Sequence, residues 1–110
     1  MNNSIVQQLA HWLSSRGPRL ASAGVEFTNR IPEPSSSVPW KGGVGLVKDD
    51  ILVSFTVWER TIFQTELIIV DGASGETLVS KDATPENVED IDEVLDSIVD
   101  GLIGGTYRRG

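Results

Sequence analysis

The chain has 110 residues, a length typical of one domain, so we expect a single domain spanning residues 1–110. Acidic residues outnumber basic ones 16 to 9, and the formal net charge of −7 argues against nucleic acid or an anionic membrane as the main partner. The chain has no cysteine, which excludes disulfide bonds and thiolate chemistry. No apolar run approaches the roughly 18 residues of a membrane-spanning helix, and Met1 to Ser4 lack the features of a secretory signal.

The N-terminal segment is predicted to be a short amphipathic helix over about residues 4–16. Ser4 suits its N-cap, and Gly17-Pro18 predicts its end. His11 falls on the polar side of this helix. Apolar residues recur at the three- and four-residue steps of one helix face, namely Ile5, Val6, Leu9, Trp12 and Leu13.

A meander of four or five strands is predicted between about residues 24 and 82. Alternation from Val25 to Ile31 indicates a half-buried first strand, and the proline- and serine-rich stretch 32–39 indicates a loop. The glycines at 42, 43 and 45 predict a weakened second strand at an edge or with a bulge. Three further strands follow at about 51–59, 63–71 and 76–81. Their short connections favour antiparallel pairing.

The strongest strand, 51–59, alternates apolar and mixed residues, which predicts one buried and one open face. A second helix is predicted at about 85–103, with Thr84 as N-cap, Pro85 at the first position and Gly104-Gly105 at the end, followed by a tail over 104–110. Its apolar stripe comprises Val88, Ile91, Leu95, Ile98 and Leu102. The fold class is therefore α+β, with an antiparallel meander sheet and both helices packed on one face.

Acidic residues are concentrated in the C-terminal part of the chain. Residues 82–107 contain eight Asp or Glu and no Lys or Arg. These acids alternate with the apolar stripe, so we interpret them as the solvated face of the second helix. A second interpretation, an electrostatic surface that steers a basic partner, stays open.

No residue pattern in the sequence predicts an active site. His11, the only histidine, has no nucleophile motif around it. The acid pairs Asp49-Asp50 and Asp90-Ile91-Asp92 lack the glycine and glutamate of a calcium loop, and the glycine-rich strand lacks the Gly-Lys-Ser/Thr of a phosphate loop. We therefore expect no enzyme, with no catalytic residue, metal ion or cofactor; a small hydrolase using paired acids is the least favoured alternative.

Candidate partner-binding residues cluster around the central hairpin. Trp58 ends the strongest strand on its predicted open face, and Trp and Arg are the residue types that dominate interface hot spots. The alternative is that Trp58 only covers the sheet, and that Trp40 folds back on the core. The candidate set consists of Trp40, Thr56, Trp58, Glu59, Arg60 and Glu66.

The hairpin resembles TriTu-type immunity proteins in two segments. The first is Phe55-Thr56-Val57-Trp58-Glu59, in which a Trp follows an alternating strand. The second runs from Thr65 to Glu76 as an acidic and aliphatic return strand that ends in a D-x-x-x-G-E turn. The segments on either side of the hairpin resemble the same family, since the N-terminal helix contains a Trp and the C-terminal helix is acidic.

This resemblance implies a cytoplasmic bacterial antitoxin against Rhs-type toxins of type VI secretion and interbacterial competition. Such toxins are ADP-ribosyltransferases that modify elongation factor Tu. We accordingly expect a monomer that binds and occludes a cognate toxin domain in a one-to-one complex, without nucleic acid or membrane partners. The alternative from a different class is an acidic secretion chaperone that holds an extended segment of an effector.

Overall fold

The computed structural model describes residues 5–30, 41–59, 63–85, 87 and 89–107. The chain forms a five-stranded antiparallel meander in the order β1-β2-β3-β4-β5, with one helix before it and one after it. This confirms the predicted α+β fold. The elements are α1 (Ile5–Ser22), β1 (Glu26–Asn29), β2 (Lys41–Lys48), β3 (Ile51–Glu59), β4 (Phe63–Asp71), β5 (Thr77–Ala83) and α2 (Asp90–Gly104).

The core lies between one face of the sheet and both helices. On the inward face of β3, the side chains of Ile51, Val53, Phe55 and Val57 are buried, as its alternation predicts. Residues of α1, such as Leu9 and Trp12, and residues of α2, such as Leu95 and Ile98, belong to the same buried cluster as this face. Both helices therefore cover one side of the sheet. Across the described residues, no helix or strand packs against the other side.

The first helix is longer than the sequence predicts. α1 continues through Gly17-Pro18 to Ser22, so the predicted end at residue 16 is wrong. Pro18 is exposed, and it is followed by Leu20, which is fully buried and offsets part of the cost of a proline in a helix. Two residues beyond the end of the helix, Gly24 has a φ of +77°, which allows the Val25 N–H to donate to the Leu20 carbonyl at 2.9 Å. Ser4, the predicted N-cap, lies outside the described residues.

The second helix begins later than predicted. α2 starts at Asp90 rather than at Pro85, and Glu89, not Thr84, occupies the N-cap position. A turn precedes the helix, in which the Asn87 N–H donates to the Asp90 carboxylate at 3.3 Å. This contact and the acidic first turn favour a helix start at Asp90. The predicted end is confirmed, since Gly105 adopts a φ of +76° and terminates α2. Val88 is not among the described residues.

The glycine-rich strand β2 lies inside the sheet in regular register with β1 and β3, so the prediction of an edge or bulged strand is wrong. Its glycines make room for a side chain that crosses the sheet. A Cβ on Gly43 would lie 3.1 Å from Arg30 Nη2 and 3.1 Å from the Phe55 carbonyl oxygen. Arg30 Nη2 donates to Ser54 Oγ at 3.1 Å and to the Val44 carbonyl at 3.3 Å. The register shift occurs instead in the β4–β5 pair, between Ile69 and Val70.

The predicted first strand is less buried than expected. All four residues of β1 are exposed, including Phe27 at 43%. Val25 is buried, but it precedes the strand. Ile31 lies outside the described residues. The alternation of this segment therefore indicates a strand correctly but overstates its burial, because β1 is the short outer strand of the sheet.

The β2–β3 turn supplies a test of local backbone strain. Asp49 and Asp50 have φ of 50° and 69°, the left-handed region that a two-residue hairpin requires and that favours glycine. Replacing Asp50→Gly should therefore raise the free energy of unfolding by about 0.5–1 kcal/mol in denaturant melts. Asp50→Val should lower it, because a β-branched residue resists this conformation. A stabilising valine or a destabilising glycine would contradict the left-handed turn.

Candidate functional site

The side of the sheet on which no described element packs, called the open face below, is defined by the strand register. Side chains alternate along each strand, and the Cα pairing brings alternate residues of β2, β3 and β4 to the same side. The open face comprises Lys41, Gly43, Gly45 and Val47 from β2, Leu52, Ser54, Thr56 and Trp58 from β3, and Gln64, Glu66, Ile68 and Val70 from β4. β5 adds Ser80 and Asp82, which pair with Ile68 and Glu66.

The open face changes character along the strands. At the end near the β2–β3 turn it is apolar, since Leu52 is 43% exposed and lies between its register partners Val47 and Val70. At the opposite end it is aromatic and charged, because Trp58 lies between its partners Lys41 and Gln64. One sheet surface therefore offers both apolar contact area and groups that form directional contacts.

A shallow pocket of about 250 Å³ lies at the aromatic end and is lined by Trp58, Gln64, Glu66 and Asp82; we call it the Trp58 pocket. Glu66 and Asp82 are direct register partners on β4 and β5. On the other side of Trp58, Lys41 Nζ lies 5.8 Å from the ring centroid, within cation–π range. The pocket thus has an aromatic wall and two carboxylates.

The fold brings together three of the six predicted partner-binding residues. Thr56, Trp58 and Glu66 share the open face, and Thr56 is the register partner of Glu66. The backbone of Glu59 ends β3, but its side chain is not described. Arg60 and Trp40 lie outside the described residues, so their predicted role stays a prediction.

Sequence reasoning missed two members of this site, Lys41 and Asp82. The sequence pattern ends the fifth strand at residue 81 and so groups Asp82 with the acids of the second helix. The structure extends β5 to Ala83. Extending the side-chain alternation of β5 by one residue, from Ser80 to Asp82, would have placed Asp82 on the open face beside Glu66. Lys41 gives no such signal, because the register that sets it beside Trp58 follows from pairing across the sheet.

Acidic side chains of α2 hold the two helices together. The Trp12 indole N–H donates to Asp96 Oδ1 at 2.9 Å, and Arg16 donates to both carboxylate oxygens of Asp96 at 3.0 Å. The Arg16 guanidinium, aided by the Trp12 hydrogen bond, keeps the pKa of Asp96 below its ordinary value. Trp12 is fully buried, so Asp96 satisfies a donor that would otherwise be buried without a partner.

The prediction that the acids of α2 form a solvated face is therefore wrong in part. Asp92 accepts hydrogen bonds from Gln8 Nε2 at 3.1 Å, and, like Asp96, it is only half-exposed. Glu89 and Glu93 are exposed and agree with the prediction. The negative charge of α2 thus divides between helix–helix contacts and the solvent.

Asp96→Ala is expected to lower the free energy of unfolding by about 2 kcal/mol, because it leaves the buried Trp12 N–H and the Arg16 guanidinium without their acceptor. The matched control is Asp100→Ala, which removes the exposed Arg19–Asp100 ion pair of 2.7 Å and should cost less than about 0.5 kcal/mol. Equal losses in denaturant melts would contradict this role of Asp96.

The contribution of Asp96 should also depend on pH. Folding lowers its pKa below the ordinary 3.8, so the stabilisation is complete above that value and disappears as the pH falls through the lower pKa of the folded state. The difference in unfolding free energy between the wild type and Asp96→Asn should therefore be constant near neutral pH and shrink below about pH 4. If the difference in unfolding free energy grew on acidification, it would contradict the lowered pKa of Asp96.

A second concavity lies on the helix side, between α2 and the strands β4 and β5. Its volume is about 460 Å³, and its walls include Phe55, Leu67 and Ile98. Tyr107 also lines it, and burial raises the pKa of its hydroxyl. The residues lining this cleft do not form a base–nucleophile pair.

Comparison of the chain with protein-family models, with curated proteins and with solved structures finds no match. Among the residues that the structure describes, no group of three or more histidine, aspartate or glutamate side chains could hold a metal ion. No described helix is both long and apolar enough to cross a membrane.

Proposed function

We propose that the protein is a cytoplasmic immunity protein that uses its open face to bind and occlude an ADP-ribosyltransferase toxin domain. It acts as a monomer in a one-to-one complex and has no catalytic role. The observation that carries this proposal is a sheet face on which no described helix packs and which presents a half-buried Trp58 among polar side chains. The resemblance of the central hairpin to TriTu-type immunity proteins supplies the kind of partner.

The size of the open face suits a protein partner. Nine-residue strands are roughly 30 Å long, and five strands are roughly 24 Å wide, so the face measures at most roughly 700 Å². A stable interface of standard size uses about 800 Å² on each side. The partner must therefore cover the whole face, including both its apolar and its aromatic end, and extend onto its rim.

The distribution of side chains also suits a protein interface. Leu52 at one end and Trp58 at the other are anchors that a partner can desolvate, while Ser54, Thr56 and Gln64 between and around them offer hydrogen bonds. Tryptophan is among the residues with the largest effect on binding when truncated. We therefore assign the main anchor to Trp58.

The charge of the chain fits an ADP-ribosyltransferase partner. A pocket that holds the pyrophosphate of NAD must present positive groups, and this chain carries a formal net charge of −7. Glu66 and Asp82 place negative charge on the open face itself. The net charge therefore favours the encounter with such a partner, and on the open face itself Glu66 and Asp82 offset the positive charge of Lys41.

The proposal is tested by protection of cells. The chain is coexpressed with each toxin domain encoded near its gene, and growth and ADP-ribosylation of elongation factor Tu are measured. Wild-type protein should restore growth, Trp58→Ala should protect poorly, and Ile103→Ala, which truncates a 41%-exposed side chain on α2, should protect fully. Absence of protection by the wild type, or equal protection by Trp58→Ala, would contradict the proposal.

Occlusion also makes a stoichiometric prediction. Transfer of ADP-ribose by the purified toxin domain should stop at one equivalent of the protein, because each toxin molecule must be covered by one inhibitor. Protein added after elongation factor Tu has been modified should leave the modification in place. Suppression by catalytic amounts, or removal of ADP-ribose, would indicate an enzyme instead. A neighbouring gene for a secreted effector, bound without inhibition, would favour the chaperone alternative.

A further inference from the structure

We propose that the Trp58 pocket receives an arginine side chain of the partner protein. This inference rests on the proposed function, since it names the chemistry that the partner brings to the open face. The pocket has three features that favour such a side chain: two neighbouring carboxylates, an aromatic wall and a volume of about 250 Å³.

The two carboxylates of the pocket lie next to each other on neighbouring strands, on the same face of the sheet. Glu66 and Asp82 are direct register partners on β4 and β5, and like charges at directly opposed positions destabilise a sheet. Neither carboxylate forms a salt bridge with another described residue. A cation placed between them would remove this repulsion, so the free protein keeps an unfavourable arrangement that the complex would relieve.

The aromatic wall already holds a cation on its other side. Lys41 Nζ approaches the Trp58 ring to 5.8 Å from β2, whereas the pocket opens on the side of β4 and β5. An indole ring is the side chain that attracts cations most strongly through its face. Gln64 adds an amide oxygen that can accept a further hydrogen bond. The pocket thus combines charge, π surface and a neutral acceptor.

These groups fit a guanidinium better than an ammonium. A planar guanidinium can stack on the indole and at the same time donate parallel hydrogen bonds to carboxylates. A volume of about 250 Å³ holds such a head group together with part of its methylene stem. Lysine offers a compact, strongly hydrated charge that satisfies fewer of these contacts. The occupant is therefore an arginine presented on the surface of the partner.

The test uses a short peptide as the probe. The ¹⁵N-labelled protein is titrated with acetyl-Gly-Arg-Gly-amide, and the Trp58 indole signal and the amides of Glu66 and Asp82 are followed by NMR. We expect saturable shifts in the millimolar range, at least fivefold weaker binding of the corresponding lysine peptide, and no binding of the citrulline peptide, which keeps the shape but lacks the charge.

Matched variants distinguish binding of the peptide in the pocket from general electrostatic attraction to the acidic chain. Glu66→Gln should weaken binding of the arginine peptide at least fivefold, whereas Glu26→Gln, which removes one exposed carboxylate from β1 on the same face, should leave it unchanged. The melting temperature of Glu66→Gln should not fall, because the change removes a repulsion. Equal binding of the citrulline peptide, equal loss in both variants, or absence of saturable shifts would overturn the proposal.

The outcome for the pocket is distinguishable from that for the proposed function. If the toxin domain binds the wild type but not Trp58→Ala, and the arginine peptide gives no shifts, the pocket inference fails while the immunity function stands. If the peptide binds as described and the toxin domain does not, the pocket is a site for an arginine of a different protein. The assignment to this toxin class then fails.

Discussion

Leu95→Ala is expected to lower the free energy of unfolding by about 3 kcal/mol. Leu95 is fully buried at the centre of α2, and it belongs to the same cluster as the inward side chains of the sheet. Truncation removes apolar contacts and leaves a cavity that packed neighbours cannot fill. Chemical denaturation monitored by circular dichroism measures the change.

The adjacent position provides the control. Val94 is 44% exposed on the same helix turn, so Val94→Ala should change the unfolding free energy by less than about 0.5 kcal/mol. Similar losses for the two variants would mean that α2 does not pack on the sheet with the face described. A loss below about 0.5 kcal/mol for Leu95→Ala would place that residue outside the core.

The second large effect is expected on binding. Trp58→Ala should weaken the complex with the toxin domain by about 2 kcal/mol, or roughly thirtyfold in Kd. Truncation removes the main aromatic contact of the open face, so the loss should appear mostly as faster dissociation. Surface plasmon resonance with immobilised toxin domain gives both rate constants.

Acidic residues of α2 should affect toxin binding differently from Trp58. Asp92 and Asp96 hold α1, whereas Glu89 and Glu93 are exposed and can be neutralised without disturbing these helix contacts. The double variant Glu89→Gln/Glu93→Gln should slow association and leave dissociation unchanged, with an effect that fades at high salt. Faster dissociation of this variant, with normal binding of Trp58→Ala, would place the interface on α2 instead.

Local patterns predicted the sheet because they report burial directly. Alternation in 51–59 and short connections determine the inward face and the antiparallel order, and both are confirmed. Helix ends were less predictable. Gly17-Pro18 is a strong local stop signal, but burial of Leu20 beyond it carries α1 to Ser22, and no local signal reports that tertiary contact.

The candidate site was predictable only where it lies within one hairpin. Thr56, Trp58 and Glu66 follow from the alternation of two consecutive strands. Lys41 and Asp82 join them through register with the flanking strands, which depends on where those strands begin and end. The Arg16–Asp96 pair connects residues 80 positions apart in sequence, so composition alone suggested free solvated acids.

Oxidative footprinting of the complex tests most directly the claim that the open face binds the toxin domain. Hydroxyl radicals modify exposed side chains, and Trp58 and Leu52 report on the open face while Ile103 reports on α2. We expect toxin domain at saturating concentration to slow the oxidation of Trp58 and Leu52 severalfold and to leave that of Ile103 unchanged. Protection of Ile103 with unchanged oxidation of Trp58 and Leu52 would contradict it.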